Sequence, residues 1–132
     1  MILVDTSVWI DYFKGINNTH TDVLDEALLT GTAAIGDLIY LEILQGFRRD
    51  NEFRAARKAI KTLDQYRLFG NGMADKCADH YRTLRKKGIT VRKTIDVIIA
   101  TFCIEHNMPL LFLDKDFMPF VRHSGLQSAI RN

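Results

Sequence analysis

The chain has 132 residues, of which 47% are hydrophobic and 26% charged, and 18 basic residues against 16 acidic ones give a formal net charge of +2. This composition predicts one ordinary globular domain over residues 1–132, and so small a charge does not by itself indicate a nucleic-acid-binding protein. The longest apolar run, Met108–Leu113, is far too short to span a membrane, and Cys77 and Cys103 lack metal-ligand or disulfide spacing, so we expect a cytoplasmic protein.

The first half of the chain predicts two strands and three helices in alternation. A continuous apolar run over Met1–Val4 is typical of a strand buried on both faces, and Thr6 or Ser7 is placed to cap the helix that follows. Gly15 is expected to end that helix. The later elements are predicted as a helix over Asp22–Leu29, a strand over Thr32–Gly36 and a helix over Asp37–Arg49.

The second half continues the alternation. Thr94 is predicted to cap a long apolar helix, and Pro109 separates that helix from the next strand. The predicted elements are helices over Asn51–Leu63, Ala74–Lys87, Ile95–His106 and Asp114–Val121, and strands over Tyr66–Phe69, Leu110–Leu113 and, at an edge, Gly125–Ile130.

Strands that alternate with helices indicate right-handed crossovers and a mainly parallel sheet covered on both faces. We therefore predict an α/β fold with three α/β/α layers and a central sheet of four or five strands. In such open sheets, ligands bind beyond the carboxyl ends of the strands. Polar residues that directly follow apolar strands are consequently the first candidates for a functional site.

Acidic residues meet this criterion. Asp5 follows the first strand and Asp114 follows a later one, so both carboxylates are expected at the same sheet edge. Asp96, in a first helical turn, and Glu42, mid-helix among apolar neighbours, are placed to join them, and Asp116 is a further candidate. Each acid also has an ordinary structural interpretation, as a helix cap, a partner of a helix dipole or a surface residue.

Converging carboxylates repel one another, and burial raises their pKa values unless a cation compensates. Hard oxygen ligands favour Mg²⁺, for which Mn²⁺ can substitute. Such ions orient phosphate oxygens and activate water. If the acids converge, the chemistry indicated is metal-assisted phosphodiester hydrolysis.

Four sequence blocks resemble the PIN domain, and more closely the VapC-type toxins of VapBC toxin–antitoxin systems. They are Asp5-Thr6-Ser7 after an apolar strand, Leu41-Glu42-Ile43-Leu44-Gln45-Gly46, Thr94-Ile95-Asp96-Val97-Ile98-Ile99-Ala100 and Leu113-Asp114-Lys115-Asp116-Phe117. The blocks occur in the family's order and spacing, and the resemblance covers nearly the whole chain.

The resemblance implies a Mg²⁺-dependent endoribonuclease, a cognate VapB-type antitoxin that blocks its active site, and a homodimer. The implied catalytic acids are Asp5, Glu42, Asp96 and Asp114, with Asp5 and Asp96 as metal ligands, Asp114 and Asp116 as further ligands, and Thr6, Ser7 and Thr94 as supporting hydroxyls. One position departs from the family pattern. Phe112 stands two residues before Asp114, where relatives commonly carry Thr or Ser, so a hydroxyl contact from this position is absent.

Basic residues cluster just before Asp96, and the stretch comprises Arg85, Lys86, Lys87, Arg92 and Lys93. It is interpreted either as a solvated helix end or as a track for the RNA backbone. Trp9, Tyr12 and Phe13 have the spacing of core residues and could also line a groove for an antitoxin helix.

Three other functions fit the sequence less well. A phosphotransferase of the haloacid-dehalogenase type needs a second acid two residues after Asp5, where this chain has Ser7, and a response-regulator receiver domain needs adjacent acids after Val4. A degenerate PIN domain that only binds protein is the non-enzymatic alternative, and the presence of all four expected acids counts against it.

Overall fold

A computed structural model describes residues 1–130, in which four parallel strands form one sheet in the order β3-β2-β1-β4. The strands are β1 (Ile2–Val4), β2 (Ala33–Gly36), β3 (Asp64–Tyr66) and β4 (Leu110–Leu111). The helices are α1 (Thr6–Phe13), α2 (Thr19–Thr30), α3 (Asp37–Gly46), α4 (Asp50–Ile60), α5 (Met73–Lys86), α6 (Thr94–Glu105) and α7 (Met118–His123). The three-layer α/β architecture predicted from the sequence is confirmed. None of the helices in this part of the chain is both long and apolar enough to cross a membrane.

The order in which the chain adds strands to the sheet reverses between β1 and β4. From β1 the chain moves outward through β2 to β3, and it then returns to place β4 on the other side of β1. Leu3 pairs with Ala34 on one side, and Val4 pairs with Leu111 on the other. The carboxyl ends of β1 and β4 therefore lie side by side at a topological switch point, where α/β folds bind their ligands.

Helices bury the sheet on its two faces and pack in two main groups. Helix α1 packs against α2 and α3, while α5 packs against α6. Helix α6 is buried over most of its length, since seven of its 12 residues are buried. Cys77 on α5 and Cys103 on α6 are buried and unpaired, in agreement with the lack of disulfide spacing in the sequence.

The predicted bounds of β3 and the predicted end of α3 were wrong, because side-chain packing ends regular structure at both places. The strand predicted over Tyr66–Phe69 lies earlier, at Asp64–Tyr66, because Leu68 leaves the sheet to pack over Gly36. A Cβ atom on Gly36 would lie 2.5 Å from Leu68 Cδ1, and the Leu68 N–H donates to Asp37 Oδ1 at 3.0 Å. Helix α3 ends at Gly46 rather than Arg49, because Phe47 turns extended and its ring packs on Phe13 at 5.6 Å.

The carboxyl-terminal part of the prediction also needs correction. The helix predicted over Asp114–Val121 is a single 3-10 turn, Lys115–Phe117, followed by α7, in which Pro119 occupies the first turn. The predicted edge strand over residues 125–130 is reduced to one parallel bridge between Leu110 and Ser128. The Ser128 hydroxyl accepts the Ile130 N–H at 3.2 Å, so a local turn replaces further strand pairing.

Both predicted hydroxyl caps were wrong as well. Asp5, not Thr6 or Ser7, caps α1, because its extended backbone lets its carboxylate accept from the Ser7 N–H. Thr94 is the first residue of α6, and the preceding Lys93 holds the cap position without a side-chain hydrogen bond. Gly15 ends α1 as predicted, with φ of +73°, a conformation that glycine adopts without strain.

Candidate active site

The buried carboxylate of Asp5 lies at the end of β1, where it is held by Ser7. Only 5% of Asp5 is exposed, and its Oδ2 accepts from Ser7 Oγ at 2.7 Å and from Ser7 N at 3.3 Å. Burial raises the pKa of Asp5 above its ordinary value, the Ser7 hydrogen bonds oppose this, and the charge of Glu42 adds a smaller increase. Ser7 Oγ also accepts from Leu113 N at 3.2 Å. Ser7 therefore ties the end of β1 to the segment that follows β4.

Glu42 enters the same region from the middle of α3. Thr6 Oγ1 donates to Glu42 Oε1 at 2.8 Å, which joins two residues that are 36 positions apart in the chain. The half-buried position of Glu42 agrees with the prediction from its apolar neighbours. The hydroxyls of Thr6 and Ser7 thus each orient one acid.

Three further acids converge beyond the end of β4 and at the start of α6. Asp96, Asp114 and Asp116 each offer a carboxylate oxygen, and these oxygens lie within 4.8 Å of one another. Asp114 Oδ1 accepts from Asp116 N at 2.9 Å and so caps the 3-10 turn. Asp5 and Glu42 lie outside this trio. Asp116, for which a first-turn position offered a simple structural explanation, is brought into the cluster.

Asp96 is the acid with an unmet hydrogen-bonding need. Its residue is 5% exposed, and its buried Oδ2 has no hydrogen-bond partner among residues 1–130. The pKa of Asp96 is raised to about 6, mainly by burial. The charge of Lys93 lowers this pKa, and the charges of Asp5, Asp114 and Asp116 raise it. A buried, unpartnered carboxylate oxygen is costly unless a cation or a proton satisfies it. The oxygen-only donor set fits a hard divalent cation.

Two basic residues reach these acids from the segment before α6. Lys93 Nζ lies 3.5 Å from Asp114 Oδ2, and Arg92 Nη2 lies 3.3 Å from Asp116 Oδ2. The carboxylates, Asp96 above all, raise the pKa of Lys93, which keeps its ammonium charged. The end of the predicted basic stretch therefore pairs directly with the acid cluster.

The remaining residues of the basic stretch lie elsewhere. Arg85 and Lys86 occupy the last turn of α5, where they join Arg82 around a shallow cavity of about 410 Å³. Lys87 is the exposed residue that caps the end of this helix. The contacts among the described residues place none of these three on the acids.

Two residues predicted from the family pattern have structural surroundings of their own. Thr94 is exposed at the start of α6 and lines a groove between α5 and α6. Phe112 is 8% exposed, and its ring packs on Phe117 with 5.4 Å between ring centroids. Phe112 therefore serves the core and supplies no hydroxyl to the site.

A groove of about 650 Å³ lies beside Glu42, a position that the sequence did not predict. Its walls come from α1, α3, the segment before α4 and the first turn of α4. The groove is lined by Ile10, Phe13, Lys14, Glu42, Ile43, Gly46, Phe47, Arg48, Arg49 and Glu52. Of the three aromatic residues considered for an antitoxin groove, only Phe13 lines it, because Trp9 is in the core and Tyr12 faces a smaller cavity. The groove opens where α3 ends at Gly46. The sequence signal for this break was the glycine itself, which lies inside the helix predicted over Asp37–Arg49.

A second groove, of about 390 Å³, runs between α5 and α6. Its lining is mainly apolar and includes Cys77, Ala78 and Tyr81, together with the exposed ring of Phe69. The exposure of Phe69 was not evident from the sequence, which predicted a strand over Tyr66–Phe69.

Known proteins are similar to this chain over almost its whole length. The model of the PIN domain family matches residues 2–120. Ribonuclease VapC11 of Mycobacterium tuberculosis (strain ATCC 25618 / H37Rv) is 30% identical over 131 residues, which are 98% of each chain. The structure of VapBC2 from Rickettsia felis, bound to a DNA fragment from its promoter, matches with a TM-score of 0.76 and 16% identity, and covers 100% of both chains. DNA-bound VapBC from Salmonella typhimurium matches with a TM-score of 0.74 and 17% identity over 97% of each chain.

Proposed function

The chain belongs to the PIN domain family, and we propose that it is a divalent-metal-dependent endoribonuclease, the toxin of a VapBC-type toxin–antitoxin pair. The observation that carries this proposal is the buried, unpartnered Oδ2 of Asp96 within a cluster of acids at the switch point of the sheet. The similarity to a VapC ribonuclease over the whole chain supports the choice of RNA as substrate.

Asp96, Asp114 and Asp116 are the residues that would hold the ion, with Asp5 as the neighbouring fourth acid. A bound Mg²⁺ or Mn²⁺ would neutralise charge on the phosphate and provide an activated water for in-line attack. The carboxylate oxygens of these aspartates are hard ligands, which bind Mg²⁺ or Mn²⁺ in preference to softer metals.

The other acids act through their own hydrogen bonds. Thr6 occupies Oε1 of Glu42, which leaves Oε2 to accept a proton as the attacking water reacts. Ser7 fixes the orientation of Asp5 and opposes the effect of burial on its pKa. Thr6 and Ser7 are thus positioning residues, because they act through the acids that they hold.

Basic residues are proposed to bind the RNA backbone next to the acids. Arg92 and Lys93 border the cluster directly, and Arg85 and Lys86 extend positive charge along the end of α5. Lysine and arginine contacts to phosphates position a strand without reading its sequence.

A VapB-type antitoxin is the proposed protein partner. Two solved structures similar in fold to this chain are described as VapBC bound to DNA. The groove beside Glu42 combines the rings of Phe13 and Phe47 with the positive charges of Lys14 and Arg48, while Arg49 in its lining pairs with Glu52 at 3.7 Å. This combination suits an amphipathic helix with an apolar face and acidic flanks. A helix seated there would cover Glu42 and so restrict access to the acids.

A homodimer is also proposed, through the apolar groove between α5 and α6. Phe69 is 44% exposed at this groove, and a second copy would remove its ring from water. Light scattering after gel filtration should give a dimer for the wild type and a monomer for Ala78→Glu. Thr83→Glu adds the same charge to α5 outside the groove lining and should remain dimeric. A monomeric wild type would refute the dimer.

RNA cleavage tests the proposed activity. Structured RNAs should be cut in Mg²⁺ or Mn²⁺, with 5′-phosphate and 3′-hydroxyl ends, and should stay intact in excess chelator. Asp96→Asn should abolish cleavage. Asp75→Asn, which removes an exposed acid at the matching first-turn position of α5, should not. Cleavage undiminished in chelator, or a 2′,3′-cyclic phosphate end, would refute the mechanism, and failure to cleave any RNA would favour a protein-binding module.

A further inference from the structure

Both carboxylate oxygens of Asp116 accept from Arg92 Nη2, at 3.5 Å and 3.3 Å, and both oxygens of Asp114 also have partners within the chain. Asp114 Oδ1 accepts from Asp116 N at 2.9 Å, and its Oδ2 faces Lys93 Nζ at 3.5 Å. Asp96, in contrast, keeps a buried Oδ2 with no partner among residues 1–130. A cation that binds both acids therefore meets an unoccupied oxygen on Asp96 and an oxygen paired with Lys93 on Asp114.

The ion pair between Lys93 and Asp114 is weak enough for a metal ion to displace the lysine. The side chain of Lys93 is 58% exposed and that of Asp114 is 29% exposed. Ion pairs this accessible to water are weak, because water screens them and a long side chain must be held in place. A divalent ion at the same carboxylate carries twice the charge on a smaller centre, so its attraction to Asp114 exceeds that of the ammonium.

We propose that Lys93 is an internal counter-ion of the acid cluster, which a divalent cation displaces from Asp114 Oδ2 when it binds. This inference rests on the proposed metal-dependent function. In the metal-free protein, Lys93 offsets the repulsion among Asp96, Asp114 and Asp116. In the metal-bound protein, its ammonium is released beside the site, where a substrate phosphate can pair with it.

The proposal makes Lys93 a competitor of the metal, which a metal titration without RNA can measure. Mg²⁺ should bind Lys93→Gln about two- to fivefold more tightly than the wild type, the range expected for losing an exposed ion pair. Lys93→Arg keeps the positive charge and should restore an affinity near that of the wild type. The titration is made near pH 8, so that Asp96, with a pKa of about 6, is ionised in each protein.

Lys61→Gln is the matched control. It removes the same charge from an exposed residue between α4 and β3, at the opposite edge of the parallel sheet, and should leave Mg²⁺ affinity nearly unchanged. In the wild type, NMR of the lysine ammonium groups should show the Lys93 signal moving as Mg²⁺ is added, while the Lys61 signal stays in place. This second measurement needs no substitution.

Each outcome separates the inference from the function on which it rests. Three results would overturn the counter-ion proposal without affecting the metal site. They are equal Mg²⁺ affinity in the wild type and Lys93→Gln, an equal gain of affinity in Lys61→Gln, and a Lys93 NMR signal that does not move when Mg²⁺ is added. A wild type that binds neither Mg²⁺ nor Mn²⁺ would overturn both proposals.

Discussion

Ser7 Oγ lies 2.7 Å from Asp5 Oδ2 and, through the same oxygen, accepts the backbone N–H of Leu113 at 3.2 Å. One hydroxyl therefore orients a buried acid and also joins the ends of β1 and β4. Ser7 reaches both partners from the first turn of α1, two residues after Asp5, which gives the Asp5-Thr6-Ser7 block a physical reason for its order.

Ser7→Ala should lower both stability and activity. It leaves the Leu113 N–H without a partner and Asp5 Oδ2 with only the longer hydrogen bond from Ser7 N, at a cost of about 1–3 kcal/mol in the free energy of unfolding. Loss of a hydrogen bond to the charged form also raises the pKa of Asp5 further. Urea unfolding and initial cleavage rates check this, with Ser7→Thr as the control that keeps a hydroxyl. Wild-type stability in Ser7→Ala would show that water replaces the hydroxyl.

The metal-free protein should lose stability as pH rises through the titration of Asp96. Its folded pKa is about 6 against an ordinary value of 3.8, so between these values the folded state holds a proton that the unfolded state has released. Stability therefore falls as pH increases, by up to about 3 kcal/mol from this residue. Asp96→Asn should lack this component.

Urea unfolding in chelator between about pH 4.5 and pH 7.5 measures the effect. The free energy of unfolding of the wild type, minus that of Asp96→Asn, should decrease with pH. The curve of Asp75→Asn should follow that of the wild type. A difference that stays constant with pH would place the Asp96 carboxylate in an ordinary, solvated environment.

The location of part of the site was predictable from the sequence. Asp5 and Asp114 directly follow short apolar runs, and parallel strands bring their carboxyl ends to one edge, so topology alone places these two acids together. The contact between Thr6 and Glu42 spans 36 residues, and that between Lys93 and Asp114 spans 21. No local pattern encodes which side chains meet across such distances.

The misplaced strand has a different cause. Tyr66, Leu68 and Phe69 favoured a strand over Tyr66–Phe69, but the residues that pair with β2 are Asp64, Gln65 and Tyr66. β3 lies at the edge of the sheet, where polar side chains remain in water and periodicity gives little signal. Leu68 is buried through its packing over Gly36, a contact that depends on the tertiary fold.

Arg92→Ala with Lys93→Ala should weaken RNA binding and flatten its dependence on salt. Each phosphate contact to a single strand contributes about 0.7 to the slope of log affinity against log salt, so loss of two contacts should reduce the slope by about 1.4. Binding of an RNA at several salt concentrations measures this, with Lys58→Ala and Lys61→Ala together as the control of equal charge. Unchanged affinity and slope would mean that these residues are only a solvated helix end.

Thermal unfolding of the wild type and Asp96→Asn, with and without Mg²⁺, tests the metal site most directly. In chelator near pH 7, Asp96→Asn should be as stable as the wild type or more stable, because it removes repulsion and a buried charge. At ten times its dissociation constant, Mg²⁺ should stabilise the wild type and Asp75→Asn by about 1.4 kcal/mol, and Asp96→Asn much less. An Asp96→Asn protein that melts well below the wild type in chelator, with no shift by Mg²⁺ in any of the three proteins, would show that these acids are structural and would contradict the proposed metal-dependent nuclease.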